Sequence, residues 1–284
     1  MRVLVLGASG MLGNTVFRYF SESADLQVFA SARGAAVKRV YPPALAANIV
    51  DGVDVDNLDS LALLFAKTKP DVVVNCIGLI KQLAEANDPL QAIPINSLLP
   101  HRLARLCAVG GARLIHISTD CVFAGDRGNY TEVDMSDATD LYGRTKFLGE
   151  VDYPHAITLR TSIIGHELAS ANGLVGWFLA QQGEVKGYTK AIFSGFPTVE
   201  LAHIIRDVVL PRAELHGLYQ VAAAPISKFD LLELVADVYG KKIVIHRDDG
   251  LVIDRSLNAA KFHNATGYAP PSWPQLIQKM HQFK

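Results

Sequence analysis

The sequence predicts an α/β protein: a doubly wound parallel sheet followed by a smaller mixed α/β lobe in its carboxyl-terminal part. Three observations carry this. Short apolar, β-branched runs alternate with segments of helical spacing through about residue 160. The run at 2–6 is apolar at every position after Arg2 and 71–76 reads as a buried strand, as strands covered on both faces do. The first of them stops at a glycine turn that opens directly into a helix.

Residues 2–6 are the first strand, Gly7-Ala8-Ser9-Gly10-Met11-Leu12-Gly13 is the turn, and 14–20 carry helical periodicity. That order is what a dinucleotide pyrophosphate requires, because glycines let backbone approach the phosphates and a helix N-terminus offers free N–H groups. A second strand at 26–30 leads to Ser31-Ala32-Arg33, at the point where an acid would read the ribose 2′-hydroxyl of NAD. A hydroxyl and a guanidinium suit a 2′-phosphate instead, so NADP(H) is preferred and NAD(H) stays allowed; the alternative is a solvated loop arginine. A short third strand is expected within 49–55, with Asp54 and Val55 placed for the adenine edge and face. Asn57 or Asp56 can cap the next helix, which runs through Ala66.

Residues 71–76 read as a buried strand, after which Cys76, Ile77 and Gly78 would lie against the nicotinamide half of a cofactor. A helix over 96–109 uses Leu98, Leu99, Leu103, Leu106 and Val109 as apolar positions. Strands at 113–118 and 156–160 complete a set of six. Beyond Thr161 the rhythm changes. Residues 174–181 look helical, 185–196 form an irregular strand region, and an apolar helix runs from Pro197 and Thr198 to Leu210. Ser227 caps a helix over 228–239, 242–246 are strand-like, and 273–280 form a terminal helix. The expected division is 1–160 for the dinucleotide and 161–284 for the substrate, with part of 195–222 returning to the first domain.

The chain has 284 residues, half of them hydrophobic, with a formal net charge of -1. It can bury a large core, and it lacks the basic excess that broad nucleic-acid binding needs. No apolar window is long enough to span a bilayer, and residues 2–6 run into glycines rather than a signal-peptide core, so neither membrane contact nor export is expected. Cys76, Cys107 and Cys121 are odd in number and lack C-x-x-C spacing, which fits free thiols in the cytoplasm. The nine histidines show no zinc-type spacing, so no metal is expected.

The stretch richest in chemistry is 114–150. Ser118-Thr119-Asp120 ends a strand, and Tyr142-Gly143-Arg144-Thr145-Lys146 opens a helix. Four residues apart, Tyr142 and Lys146 fall on one helix face. An ammonium beside a phenol lowers the phenol's pKa, making Tyr142 an acid or base usable near neutral pH. Thr119 adds a third polar group at the carboxyl end of its strand, where the sites of open α/β sheets lie.

Taken in order, the glycine turn, Asn75 to Gly78, Ser118 to Gly125, Tyr142 to Lys146 with Gly149-Glu150, and Arg160-Thr161 resemble the extended short-chain dehydrogenase/reductases and their Rossmann-type sheet. Within them the chain is most similar to the dTDP-4-dehydrorhamnose reductase family. Gly195-Phe196-Pro197-Thr198 and Thr266-Gly267-Tyr268 with Pro271 and Trp273 extend the likeness over nearly the whole length. The resemblance implies NADPH-dependent reduction of a 4-keto nucleotide-linked deoxysugar, in the synthesis of cell-surface polysaccharide precursors. It implies that Thr119 holds the sugar oxygen, that Tyr142 donates the proton, and that Lys146 binds the nicotinamide ribose and biases Tyr142 toward phenolate. It further implies cofactor contacts at Gly7, Ser9, Gly10, Met11, Leu12, Gly13, Ser31, Arg33, Asp54, Val55, Cys76, Ile77, Gly78, Asn96 and Ser118. Sugar contacts fall at Lys81, Asp120, Cys121, Val122, Phe123 and Trp177. The partner is a nucleotide sugar, and a homodimer is one assembly the fold allows.

The chain departs from that family in three places. Cys121 stands where a tyrosine is usual, Ala124 stands where an aspartate is usual, and residues 76–82 replace an A-A-Y-T-x-V-D-x-A-E run. In that family those positions face the sugar, so the resemblance leaves an N-acetylated 4-keto sugar linked to UDP as open as the rhamnose precursor. Two rival readings stand beside the reductase. A nucleotide-sugar epimerase or dehydratase is disfavoured by Asp120-Cys121 in place of Asp-Glu after the threonine, and by Arg33. A non-catalytic NADP-binding regulatory subunit is disfavoured by an intact Thr119, Tyr142 and Lys146.

Overall fold

β1 (Arg2–Leu6) sits inside a seven-stranded sheet with parallel neighbours on both sides, which is why it is apolar at every position after Arg2. The computed structural model describes residues 1–81 and 84–283. Its first half alternates strand and helix: α1 (Met11–Ser21), β2 (Gln27–Ser31), α2 (Pro43–Ala46), β3 (Ile49–Val50), α3 (Leu58–Thr68), β4 (Val72–Asn75), α4 (Pro89–Ala92), α5 (Leu99–Gly110), β5 (Arg113–Thr119), α6 (Leu141–Leu148) and β6 (Ala156–Thr161). The second half is mixed: β7 (Ile163–Ile164), α7 (Leu174–Ala180), β8 (Glu184–Tyr188), β9 (Ala191–Phe193), β10 (Phe196–Pro197), α8 (Thr198–His203), β11 (Gly217–Gln220), β12 (Ile226–Ser227), α9 (Lys228–Tyr239), β13 (Val244–Asp248), β14 (Ile253–Asp254), α10 (Ala260–Thr266) and α11 (Trp273–Gln282).

The large sheet runs in the order β11-β6-β5-β4-β1-β2-β3, parallel throughout. This is a Rossmann-type doubly wound α/β fold, and the order reverses between β1 and β4, where such sheets open a crevice at their carboxyl ends. Alternation along β1 sends Val3 and Val5 into one core with Val16, Phe17 and Phe20, and Leu4 and Leu6 into another with Leu61, Leu64, Leu99 and Leu103. The seventh strand, β11, comes from the carboxyl-terminal half and pairs in parallel with β6, Gly217 opposite Ile157. From the same half, Thr198 receives a hydrogen bond from Thr15 of α1 at 3.1 Å, and Arg206 Nη1 donates to the carbonyl of Tyr19 at 2.9 Å.

Several helix ends follow their sequence signals. Asn57 caps α3 by accepting from the N–H groups of Asp59 and Ser60, and Ser227 accepts from Asp230 at the head of α9; each such cap is worth about 1 kcal/mol. Other boundaries differ from expectation. The third strand is only Ile49–Val50, because β2 ends at Ser31 and leaves Ala30 and Ser31 alone to pair with it. The helix expected over 96–109 begins earlier, as α4, a π-helical segment over Ile93–Leu98, and α5. Asp88 caps this run with Pro89 at its first position, where a missing N–H costs nothing, whereas Pro94 and Pro100 lie inside it and each removes a backbone hydrogen bond that the π-helical turns between them accommodate. Val109, expected on the apolar face, is 90% exposed.

One buried ion pair ties α6 to the sheet. Glu150, just past α6, accepts from Arg160 Nε at 2.9 Å, from Arg160 Nη2 at 2.6 Å and from Ser118 Oγ at 2.7 Å. Arg160 is 2% exposed and stacks over the ring of Phe123 at 5.0 Å. Removing one partner of such a pair strands a buried charge. Glu150→Ala is therefore expected to lower the unfolding free energy by about 3–5 kcal/mol in a urea titration; a loss under about 1 kcal/mol would mean that the pair does not hold α6 in place.

Candidate active site

The glycine turn is shaped by close approach. Gly7 adopts φ +90°, and a Cβ on Gly13 would lie 2.1 Å from the carbonyl oxygen of Gly7, so α1 packs on the turn only without a side chain there. Gly10 is the N-cap of α1 and provides no side-chain cap, which leaves first-turn N–H groups aimed out of the carboxyl end of the sheet. Ser9 and Gly10 are exposed and Met11 is half-buried, while the Leu12 side chain is buried in the core and leaves only its backbone at the turn. Ser31 differs from expectation. It is 2% exposed, and its hydroxyl accepts from the N–H of Gly7 at 3.4 Å, so it braces the turn instead of facing a ribose phosphate. Arg33 is exposed and forms no hydrogen bond or ion pair among the described residues. Asp54 is exposed and accepts from the N–H of Asp56 at 3.0 Å, and Val55 packs partly against the second core.

Cys76, Ile77 and Gly78 follow β4 and are partly exposed. The segment is held by two buried asparagines. Asn75 accepts from the N–H of Ile77 at 3.1 Å, and Asn96, in the π-helical segment, accepts from the N–H of Leu79 at 2.9 Å. A Cβ placed on Gly78 would lie 3.7 Å from Lys146 Nζ, which brings this loop against α6.

Thr119, Tyr142 and Lys146 converge. Thr119 is 8% exposed at the end of β5; its hydroxyl accepts from the N–H of Cys121 at 3.1 Å, donates to Asp120 Oδ1 at 3.2 Å, and lies near the Tyr142 phenol. Asp140 caps α6 by accepting from the N–H of Gly143 at 2.7 Å, which sets the first turn that carries Tyr142. Lys146, one turn later and 5% exposed, donates from Nζ to the carbonyl of Ile117 at 2.8 Å.

The electrostatics differ from the expected bias toward phenolate. Burial raises the pKa of Tyr142, the neighbouring Cys121, Asp120 and Asp140 push it the same way, and the nearby Thr119 hydroxyl opposes them. Burial also lowers Lys146 to about 8, against the pull of Glu150. Behind the lysine, His116 is held neutral, its pKa well below the usual histidine range through burial and the charge of Lys146. Desolvation thus dominates over pairing. The phenol is kept protonated, the form that donates.

Among the expected sugar contacts the structure separates two groups. Asp120 and Cys121 lie beside Tyr142, and burial raises the pKa of both, the thiol to about 12. Lys81 is exposed and pairs with Asp140 at 2.6 Å; Gln82 lies outside the described residues. Val122 and Phe123 turn inward instead. Both are fully buried, and Phe123 stacks on Tyr130 at 4.1 Å, so their side chains fill a core and are withdrawn from any ligand. Ser118 is likewise spent on Glu150. Trp177, on α7, is 38% exposed, and no hydrogen bond or charge contact of the three converging residues reaches it. Sequence reading missed Arg255 and the Glu150–Arg160 pair: residues more than a hundred positions apart, or on separate elements, carry no local spacing signal. Among the described residues no group of three or more His, Cys, Asp or Glu is arranged to hold a metal ion, and no helix is long and apolar enough to cross a membrane.

This fold and this arrangement define an extended short-chain dehydrogenase/reductase scaffold. The model of the RmlD substrate binding domain family matches residues 1–246, and the chain belongs to that family. The rat methionine adenosyltransferase 2 subunit beta is 34% identical over 149 residues, 52% of this chain and 41% of that protein, so the match spans less than half of that relative's length. The dTDP-4-dehydrorhamnose reductase of Mycolicibacterium smegmatis is 29% identical over 247 residues, 84% of this chain and 69% of the relative. The crystal structure of dTDP-4-dehydrorhamnose reductase from Bacillus anthracis in complex with NADP superposes with a TM-score of 0.79 at 20% identity, covering 99% of this chain and 98% of that one.

The burial of Lys146 makes a pH prediction. Its native pKa, about 8, lies below the unfolded value of 10.5, so the unfolded chain binds more protons between the two and stability rises with pH through that window. Lys146→Met is expected to flatten the rise in urea-unfolding free energy between pH 8 and 10.5; an unchanged curve would show that Lys146 does not supply it.

Proposed function

We propose that the chain is an NADPH-dependent reductase of a 4-keto sugar linked to a nucleotide, with residues 161–284 covering the sugar and cytoplasm as its compartment. The observation that carries this reading is the convergence of Thr119, Tyr142 and Lys146 beside the loop at Gly78. The residues fit a dinucleotide. The glycine turn and the uncapped head of α1 suit a pyrophosphate, and Arg33, free of any protein partner among the described residues, suits a 2′-phosphate. A bound nicotinamide dinucleotide supplies the hydride. The protein supplies the proton and the charge stabilisation. As the carbonyl carbon is reduced, negative charge develops on its oxygen; Tyr142 gives that oxygen its proton and the Thr119 hydroxyl donates a second hydrogen bond. Lys146, held on Ile117 and close to Gly78, would bind ribose hydroxyls and return a proton to the tyrosine.

The dTDP-sugar named for the mycobacterial relative favours a deoxythymidine nucleotide, whereas Cys121 and residues 76–81 leave a UDP-linked sugar open. A second reading comes from the name of the rat relative: a subunit of another enzyme. Turnover separates the two, since such a subunit binds NADPH without oxidising it in the presence of dTDP-, UDP-, GDP- or CDP-linked 4-keto-6-deoxy sugars. With the competent sugar, Tyr142→Phe is expected to lower the rate of NADPH oxidation at least about a hundredfold while NADPH affinity holds. Near-normal rates would remove Tyr142 from the mechanism. Arg33→Ala is expected to weaken NADPH more than NADH in equilibrium titrations, and equal losses would show that Arg33 does not read the 2′-phosphate.

A further inference from the structure

Arg255 directly follows β14, far along the chain, yet its guanidinium lies in the loop that leaves Thr119. Nε donates to the carbonyl of Phe123 at 2.7 Å, and Nη1 reaches the thiol of Cys121 at 3.9 Å. The crossing is built into both partners. Gly125 adopts φ +90°, and a Cβ there would lie 2.7 Å from Arg255 Cγ, so the loop carries bare backbone where the side chain passes. Asp254 N–H then donates to the carbonyl of Gly125 at 2.8 Å, stitching the two segments together.

The charge is left unspent. Asp120 and Asp140 both feel Arg255, but it forms no ion pair among the described residues, and Nη2 carries no hydrogen bond among them. Lys81, across the same mouth, is by contrast neutralised on Asp140. A half-buried guanidinium has given up water without gaining a contacting carboxylate, and its planar fork keeps donors for a ligand oxygen. The location says which oxygen. Cys121 is two residues past Thr119 and lies against Tyr142, at the reacting end of the cleft, whereas the glycine turn and Arg33 lie at the cofactor's phosphates.

Resting on the reductase reading of this cleft, we propose that Arg255 orients the substrate by donating to an acceptor oxygen on its sugar: a hydroxyl, an acetamido carbonyl or a carboxylate. The test is calorimetric titration of the full chain with NADP+ bound, using UDP-N-acetylglucosamine and dTDP-rhamnose alongside free UDP and dTDP, for the wild type, Arg255→Lys and Arg255→Met. Whichever sugar nucleotide binds more tightly than its free nucleotide is expected to lose about tenfold or more in affinity in both variants, the size of a charge-assisted hydrogen bond. The free nucleotide and NADP+ are expected to change by less than about twofold, which also shows that the variants are folded. An equal loss for the free nucleotide would put Arg255 on the diphosphate and overturn the proposal. So would an unchanged sugar nucleotide, a wild type that binds sugar nucleotides no better than nucleotides, or loss of NADP+ in both variants, which would assign the residue to the fold. A wild type that meets the binding expectation but oxidises no NADPH with any 4-keto sugar overturns the reductase reading and leaves Arg255 on the sugar.

Discussion

The seating of α6 against the ends of β5 and β6 is the constraint on which the site depends. Lys146 is fastened to the Ile117 carbonyl, and Glu150 takes both Arg160 and Ser118. Each contact is a buried charge on a strand end, and a buried charge tolerates little displacement because its partners are few and its desolvation is already spent. The helix therefore has one seat. Tyr142, a turn before Lys146, is delivered beside Thr119 as a consequence of that seat rather than through strong contacts of its own.

The same burial sets the chemistry. Proximity of an ammonium argues for a phenolate, but the desolvation of Tyr142 and its acidic neighbours push the other way, and they win. A protonated phenol beside a lysine that titrates near 8 is suited to giving a proton to a developing oxyanion. Loops from both halves of the chain complete the mouth: Asp120 and Cys121 after β5, Lys81 after β4, and Arg255 after β14. Charges of both signs meet there, in contrast to the glycine turn, which offers backbone N–H groups alone.

Periodicity and punctuation made much of this legible. The apolar runs gave β1 and β4, and β-branched residues in register with them gave β5 and β6; Asn57 and Ser227 marked helix starts; the spacing of four put Tyr142 and Lys146 on one helix face. The failures have physical causes. Val122 and Phe123 lie in sequence beside Thr119, but the short helical turn after β5 rotates them into a core against Tyr130 and Arg160. Ser31 ends its strand facing inward, where Gly7 needs an acceptor. The helix around Asn96 opens early because Asp88 caps it and Pro89 suits its first position, and it passes Pro94 and Pro100 by widening into π turns.

By itself the sequence determined the parallel sheet, the glycine turn and the identity of the three converging groups, because each depends on residues near one another in the chain, where spacing translates directly into geometry. Only the tertiary structure decided which neighbours of those groups face a ligand, the direction of the tyrosine's pKa, and the arrival of Arg255. Those outcomes depend on what lies across the cleft and on how much water packing removes, and neither quantity is written in local spacing.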